Sequence, residues 1–115
     1  MWRDDVYLLD MLLAASDARE FAKDLDWQRF SASDLHQSAI IRKLEIIGEA
    51  AGRVSGEFQS RHPEIPWPEI VALRNRLIHG YRTVRLGLVW QVVQEELPTL
   101  IEMLQPLVPP AEDFK

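Results

Sequence analysis

The chain has 115 residues and a mass of 13.3 kDa, which is room for one domain. About 47% of it is hydrophobic and 27% charged, a balance that excludes a disordered chain, and it contains no cysteine, which excludes disulfides, thiolate metal sites and cysteine nucleophiles. Its net charge of -5 argues against a protein that coats nucleic acid over its whole surface.

Helical periodicity recurs along the chain, and no stretch alternates with period two over a useful length. The first helix is expected over residues 4–22, with Val6, Leu9, Leu13 and Ser16 on its buried face and Asp4 and Asp5 at the positive end of its dipole. A polar link follows, with one turn near 27–30, and Ser31 and Asp34 have capping-box spacing. The second helix is expected over 34–59. Its stripe is Ile40, Leu44, Ile47, Ala51, Val54 and Phe58, and steps of three and four make that a seam against other helices. Gly48, Gly52 and Gly56 form a second row at a spacing of four, which points to close approach of another backbone.

The stretch 61–66 reads as a proline-rich turn. Pro68 suits the first position of a third helix, Glu69 suits its positive end, and Ile70, Leu73 and Leu77 mark its buried side. Gly80 is positioned to stop that helix with a left-handed cap. A last helix is expected over 85–107, with Leu86, Val89 or Trp90, Val93, Leu97, Leu100 and Leu104 facing the core and a bend at Pro98. Trp67 and Trp90 read as core anchors. Four helices with short links predict an all-α, antiparallel, up-and-down four-helix bundle over residues 1–108, with a loose tail at 109–115. A chain this small gains core by dimerising. The apolar run from Leu8 to Ala15 is broken by Asp10, so it reads neither as a leader nor as a membrane span, and a soluble cytoplasmic protein is expected.

Charge is unevenly distributed. Between Glu69 and Glu95 there is no acidic residue, and Arg74, Arg76, Arg82 and Arg85 all fall in that interval. Arginine also outnumbers lysine ten to three, which favours planar contact with phosphate or carboxylate. The concentrated chemical signal is Arg74-Asn75-Arg76-Leu77-Ile78-His79-Gly80-Tyr81. His79 falls in the last turn of the third helix, where the negative end of the dipole favours a cation. Asn75, four residues earlier, can stand under His79 and orient its ring. Arg74 is five residues earlier and so about 140° round the helix from His79, so either the long arginine reaches round or a second copy completes the site.

An imidazole and guanidinium groups without carboxylates suit cleavage of RNA by its own 2′-hydroxyl. That reaction needs a base for the hydroxyl proton and positive donors for the charged transition state. It needs no metal or other cofactor, and His36, His62 and His79 are too far apart in the chain to suggest a metal site. One imidazole cannot easily be base and acid together, whereas a two-fold dimer would face two copies of the segment across one cleft. Structural readings stay open beside this one. A histidine before glycine is an ordinary helix end, Tyr81 is an ordinary packed aromatic, His62 suits a turn, and His36 suits a solvated first turn. Glu45 and Glu49 read as a solvated or ion-paired face. A non-catalytic module that binds a nucleotide or a protein through its arginines is the rival function.

The segment Arg74-x4-His79-x-Tyr81 resembles the signature of the HepT-like toxins of the HEPN superfamily. Arg42-Lys-Leu-Glu-Ile-Ile-Gly-Glu-Ala-Ala51 is similar to that family's second-helix signature, Pro63-Glu-Ile-Pro-Trp67 to the start of its central block, and Val89-Trp90 with Leu97-Pro98 to its last helix. The resemblance runs over about residues 4–106. It implies a dimeric helical bundle and a metal-independent ribonuclease in which Arg74 and His79 are catalytic and meet their symmetry mates. It implies a supporting role for the polar residue Asn75 beside the arginine, and Arg76 adjoins that pair. It further implies a toxin–antitoxin pair, in which a small nucleotidyltransferase antitoxin transfers AMP to the motif tyrosine, here Tyr81, and silences the nuclease. Where relatives carry acidic residues after the tyrosine, this chain has Arg82 and Arg85, which make the rim more basic and suit either stronger RNA binding or an altered antitoxin contact.

Overall fold

The helical periodicity becomes four long rods in the structure, a computed structural model that describes residues 2–80 and 84–110. The first rod is α1 (Trp2–Ala22). The short α2 (Trp27–Ser31) leads to the second rod, α3 (Asp34–Ala51), and the short α4 (Gly56–Arg61) leads to the third, α5 (Trp67–His79). The fourth rod is continuous but not uniform: α6 (Leu86–Gln91), a π turn (Val92–Glu96), α7 (Leu97–Leu104) and a closing 3-10 turn (Gln105–Leu107). Among the described residues there is no strand, so the all-α bundle expected from periodicity is the fold.

Cross-links give the direction of the rods. Asp4, at the start of α1, bonds Ser55, just beyond the end of α3, and Asp17 pairs with Lys43 at 2.9 Å, so α1 and α3 are antiparallel. Gly48 lies opposite Arg74, and Gly52 opposite Val71, which makes α3 and α5 antiparallel as well.

The core follows the seam of α3. Ile40, Leu44, Ile47, Ala51 and Val54 are buried, and Phe58 packs against them. Val89, Val93, Leu97, Leu100 and Leu104 complete the core from the last rod. Trp67 is buried with its indole N–H donating to the His62 carbonyl at 3.0 Å, and Trp90 stacks on the buried Phe30 with centroids 5.0 Å apart.

Several local expectations need correction. The buried face of α1 is not Val6, Leu9, Leu13 and Ser16. It is Leu8, Met11, Ala14, Ala15, Ala18 and Ala22, while Leu13 is 53% exposed. Apolar residues surround the first half of α1, so its periodicity is degenerate. The alanines decide the face because they let α1 lie close to α3. The second helix does not run to residue 59. It ends at Ala51, Gly52 caps it, and Ser55 starts α4 by accepting the Phe58 N–H at 3.2 Å. The break is invisible to periodicity because Val54 and Phe58 keep the core face across it. The cap of α3 is Ser33, whose hydroxyl accepts the His36 N–H at 3.2 Å, rather than a box built from Ser31 and Asp34. Gly80 ends α5 at φ -127° with its N–H on the Arg76 carbonyl at 2.9 Å, so no left-handed cap is used.

Just before Pro98, where the sequence leads one to expect a bend, the last rod carries a π turn. The Leu97 N–H reaches back five residues to Val92 O, and Pro98 has no N–H to offer. The Val93 carbonyl therefore takes a donor from another helix: Arg19 of α1 reaches it at 3.3 Å and the Gln94 amide oxygen at 3.4 Å. Among the described residues no helix is long and apolar enough to cross a membrane. Residues 111–115, most of the expected tail, lie outside the described residues.

Candidate functional site

Two constraints fix the rotation of α5. Trp67 and Ile65 are buried at its entry, and Leu77 is buried near its end. With Leu77 facing inward, Asn75, Arg76 and His79 are left on the exposed side. Arg74 is turned the other way, toward α3.

His79 opens into a cleft of about 320 Å³ at the end of α5. Among the described residues, the cleft's polar side chains are Arg76, His79 and Arg85, set against Leu73, Leu77, Leu88 and Val89, and no carboxylate lines it. Arg85 is there because it begins α6, so the chain brings it back beside the end of α5. The acid-free interval seen in the sequence thus becomes a basic recess with one imidazole in it. Tyr81 and Arg82 lie outside the described residues.

Nearer the start of α5, on the face that shares Leu73 with this cleft, the lining differs. A cleft of about 260 Å³ there is floored by Leu44, Ile47, Ile70, Leu97 and Leu100 and also lined by Glu69, Glu95 and Glu96. Carboxylates around an apolar floor repel a phosphodiester, so of these two clefts only the one holding His79 suits an anion. Among the described residues no three His, Asp or Glu side chains are grouped so as to hold a metal ion.

Arg74 does not line the His79 cleft, and the two side chains leave α5 on different sides, as their spacing dictates. The stem of Arg74 lies on Gly48. A Cβ built at residue 48 would overlap Arg74 Cβ, come within 2.8 Å of its Cγ and lie 3.1 Å from Ile70 O. Gly48 is therefore the close approach that the glycine row suggested, whereas Gly52 makes only ordinary contacts and Gly56 faces open space. The Arg74 head group donates Nη1–H to Asn75 Oδ1 at 3.0 Å, and its Nη2 is 3.9 Å from Glu49 Oε1. Asn75, expected to stand under His79, thus lends its oxygen to Arg74. The Arg74 Nε is buried and, among the described residues, has no hydrogen-bond partner.

Sequence reasoning left Gly48 and Glu49 out of the site. Glu49 was legible only as an ion-paired face, which it is: its carboxylate also takes Arg42 Nη1 at 3.3 Å. A glycine followed by an acid in mid-helix was the available signal, but nothing local says which side chain the glycine admits.

A family model of ribonuclease HepT-like proteins matches residues 11–107. A protein of Methanocaldococcus jannaschii, provisionally named an RNase, is 42% identical over 94 residues, covering 82% of this chain and 86% of that protein. A protein of Thermococcus cleftensis, provisionally named ribonuclease HepT, is 39% identical over 94 residues with the same coverage of both chains. No solved structure matches the chain.

Proposed function

The chain belongs to the ribonuclease HepT-like family, and from that premise we propose that it is a metal-independent endoribonuclease working as a homodimer. The observation that carries this reading is the exposed His79 in a cleft with Arg76 and Arg85 and, among the described residues, no carboxylate. In this reading His79 takes the proton from an RNA 2′-hydroxyl, and the freed oxygen attacks the adjacent phosphorus. The bond from phosphorus to the 5′-oxygen breaks, leaving a 2′,3′-cyclic phosphate. The departing 5′-oxygen takes a proton from the imidazolium of the second copy's His79. Arg74 supplies charge to the phosphorane-like transition state, and Asn75 and Arg76 support it. Arg82 and Arg85 hold flanking phosphates.

The spacing of the two residues supports the two-copy reading. Arg74 and His79 are about 140° apart on one helix, so a single copy does not aim both at one phosphorus. A two-fold pair sets one copy's arginine beside the other's imidazole.

The same reading makes the protein a cytoplasmic toxin of a type II toxin–antitoxin pair. Its antitoxin is a minimal nucleotidyltransferase that moves AMP from a nucleoside triphosphate to the Tyr81 phenol oxygen and releases pyrophosphate. Tyr81 is two residues from His79 in the chain, so a bulky anion there would fill the cleft and occupy its arginines. Intact-mass measurement after co-production with the antitoxin should find the AMP adduct, and Tyr81→Phe should lack it. An unshifted mass for the parent chain would remove this part of the reading.

The main test is cleavage of RNA by the purified dimer with chelator present. His79→Ala and Arg74→Ala should each lower the rate by about 10²-fold or more and leave the fold intact. Full activity in His79→Ala would refute the assignment. If the parent chain binds RNA or nucleotide at several salt concentrations and never cleaves, the non-catalytic binding module is the better reading.

A further inference from the structure

The proposed reaction needs more than an arginine: it needs the guanidinium held in one direction, and three observations concern that direction. The first is the contact at Gly48. α3 touches α5 at the residue that carries Arg74, so closely that any side chain at 48 would displace the Arg74 stem. The second is Glu49, the next residue of α3. Its Oε1 is 3.9 Å from Arg74 Nη2 and 3.3 Å from Arg42 Nη1, and Arg42 Nη1 also bonds Glu45 Oε1 at 3.2 Å. The third is the unused donor. Arg74 Nε is buried and, among the described residues, has no hydrogen-bond partner, while Nη1 is taken by Asn75 and Nη2 faces Glu49.

A free arginine on a helix surface samples many rotamers, and ordering such a side chain costs on the order of 2 kcal/mol. Here the stem is fixed by the glycine, and the head is bracketed between an amide oxygen and a carboxylate. The carboxylate in turn is held by a second arginine from its own helix. A bracket of this kind contributes little to folding, because Glu49 and Arg42 are both substantially solvent-exposed and such pairs are weak. Its effect is on where the guanidinium points.

We propose that Glu49 is a positioning residue for Arg74: with the arginine stem seated on Gly48, the Glu49 carboxylate aims the guanidinium at the scissile phosphate. The inference rests on the nuclease reading and deepens it, since it assigns a role to a carboxylate outside the His79 cleft. Glu49 does not touch RNA. It acts through Arg74, and Arg42 keeps its carboxylate in register.

The test compares Glu49→Ala and Glu49→Gln in the full-length dimer, with Arg74→Ala beside them, by steady-state RNA cleavage and thermal unfolding. Misaiming a transition-state contact by about 1 Å can cost on the order of 100-fold in rate. Glu49→Ala is expected to lower kcat by roughly 10- to 100-fold, with KM changed by less than about threefold. Glu49→Gln, which keeps an acceptor oxygen at the same reach, should recover part of the loss. The melting temperature should stay within about 2 °C in both variants, as a surface pair implies. Unchanged kcat in Glu49→Ala, a loss confined to KM, or a faster enzyme would each overturn the proposal. The two levels separate cleanly. If Arg74→Ala also cleaves at the parental rate, the nuclease reading has failed. If Arg74→Ala is dead and Glu49→Ala is fully active, only the positioning role has failed.

Discussion

Two half-buried arginines sit at opposite kinds of junction in this bundle. Arg19 leaves α1 and reaches the π turn, where a proline and a five-residue hydrogen bond have left the Val93 carbonyl without a backbone donor. Arg74 leaves α5 toward α3, where its stem rests on a glycine and its buried Nε finds no partner among the described residues. The first arginine completes a backbone; the second is oriented but not used up. Charge and residue type are the same in both, so neither decides the role. What differs is whether the surrounding structure already needs the donors.

That difference can be broken experimentally. Methionine at either position keeps an unbranched stem and removes the guanidinium. Arg74→Met should leave the melting temperature nearly unchanged, and cleavage should fall by about 10²- to 10³-fold, the effect of removing a transition-state donor. Measuring both on one preparation is decisive, because a large loss of stability would mean that Arg74 is structural after all.

A buried carboxylate at the far end of α1 sharpens the same contrast. Asp4 is 3% exposed and accepts the Ser55 N–H at 2.8 Å and the Ser55 hydroxyl at 2.7 Å. Burial alone would raise its pKa, but the two Ser55 hydrogen bonds, with a smaller contribution from the chain's amino-terminal charge, prevail and hold it below the ordinary value of 3.8. A lowered pKa in the folded state means that ionised Asp4 stabilises the fold fully above that ordinary value, and that the stabilisation is lost as pH falls through the lower, folded-state value. Asp4→Asn should therefore cost about 1.5–3 kcal/mol at pH 7, the range for hydrogen bonds to a charged group. Denaturant titrations across pH should find the gap between parent and variant narrowing below pH 3.8. A gap that stays constant into acid would show that the charge is irrelevant.

The smallest effect belongs to Arg19→Met. Stripping a carbonyl of its donor costs about 1–3 kcal/mol when the group is fully buried, and less here because Arg19 is only half-buried. The expected loss is about 1–2 kcal/mol in denaturant unfolding, with cleavage per folded molecule unaltered. Reduced cleavage without reduced stability would invert the distinction between the two arginines.

Much of the fold was readable because the determinants are local and periodic. The seam from Ile40 to Phe58 and the run from Val89 to Leu104 face the core as their spacing requires. The acid-free interval was equally plain, and it becomes the basic cleft around His79. The face of α1 was not readable, since nearly every residue from Val6 to Ala15 is apolar and no single stripe stands out. The break after Ala51 was hidden for the opposite reason: its flanking residues keep the pattern. Of the three spaced glycines, only Gly48 turned out to admit a neighbour, and the sequence treats all three alike.

By itself, then, the sequence determined the helices, most of the core and the interval of positive charge, because each depends on residues a few positions apart. Tertiary structure decided which side of α1 is buried, which carbonyl Arg19 serves, and that Glu49 of α3 joins Asn75 beside the Arg74 head group. Those outcomes join residues tens of positions apart, such as Asp4 and Ser55, 51 apart in the chain. They follow from how closely two particular backbones can approach, which no local pattern encodes.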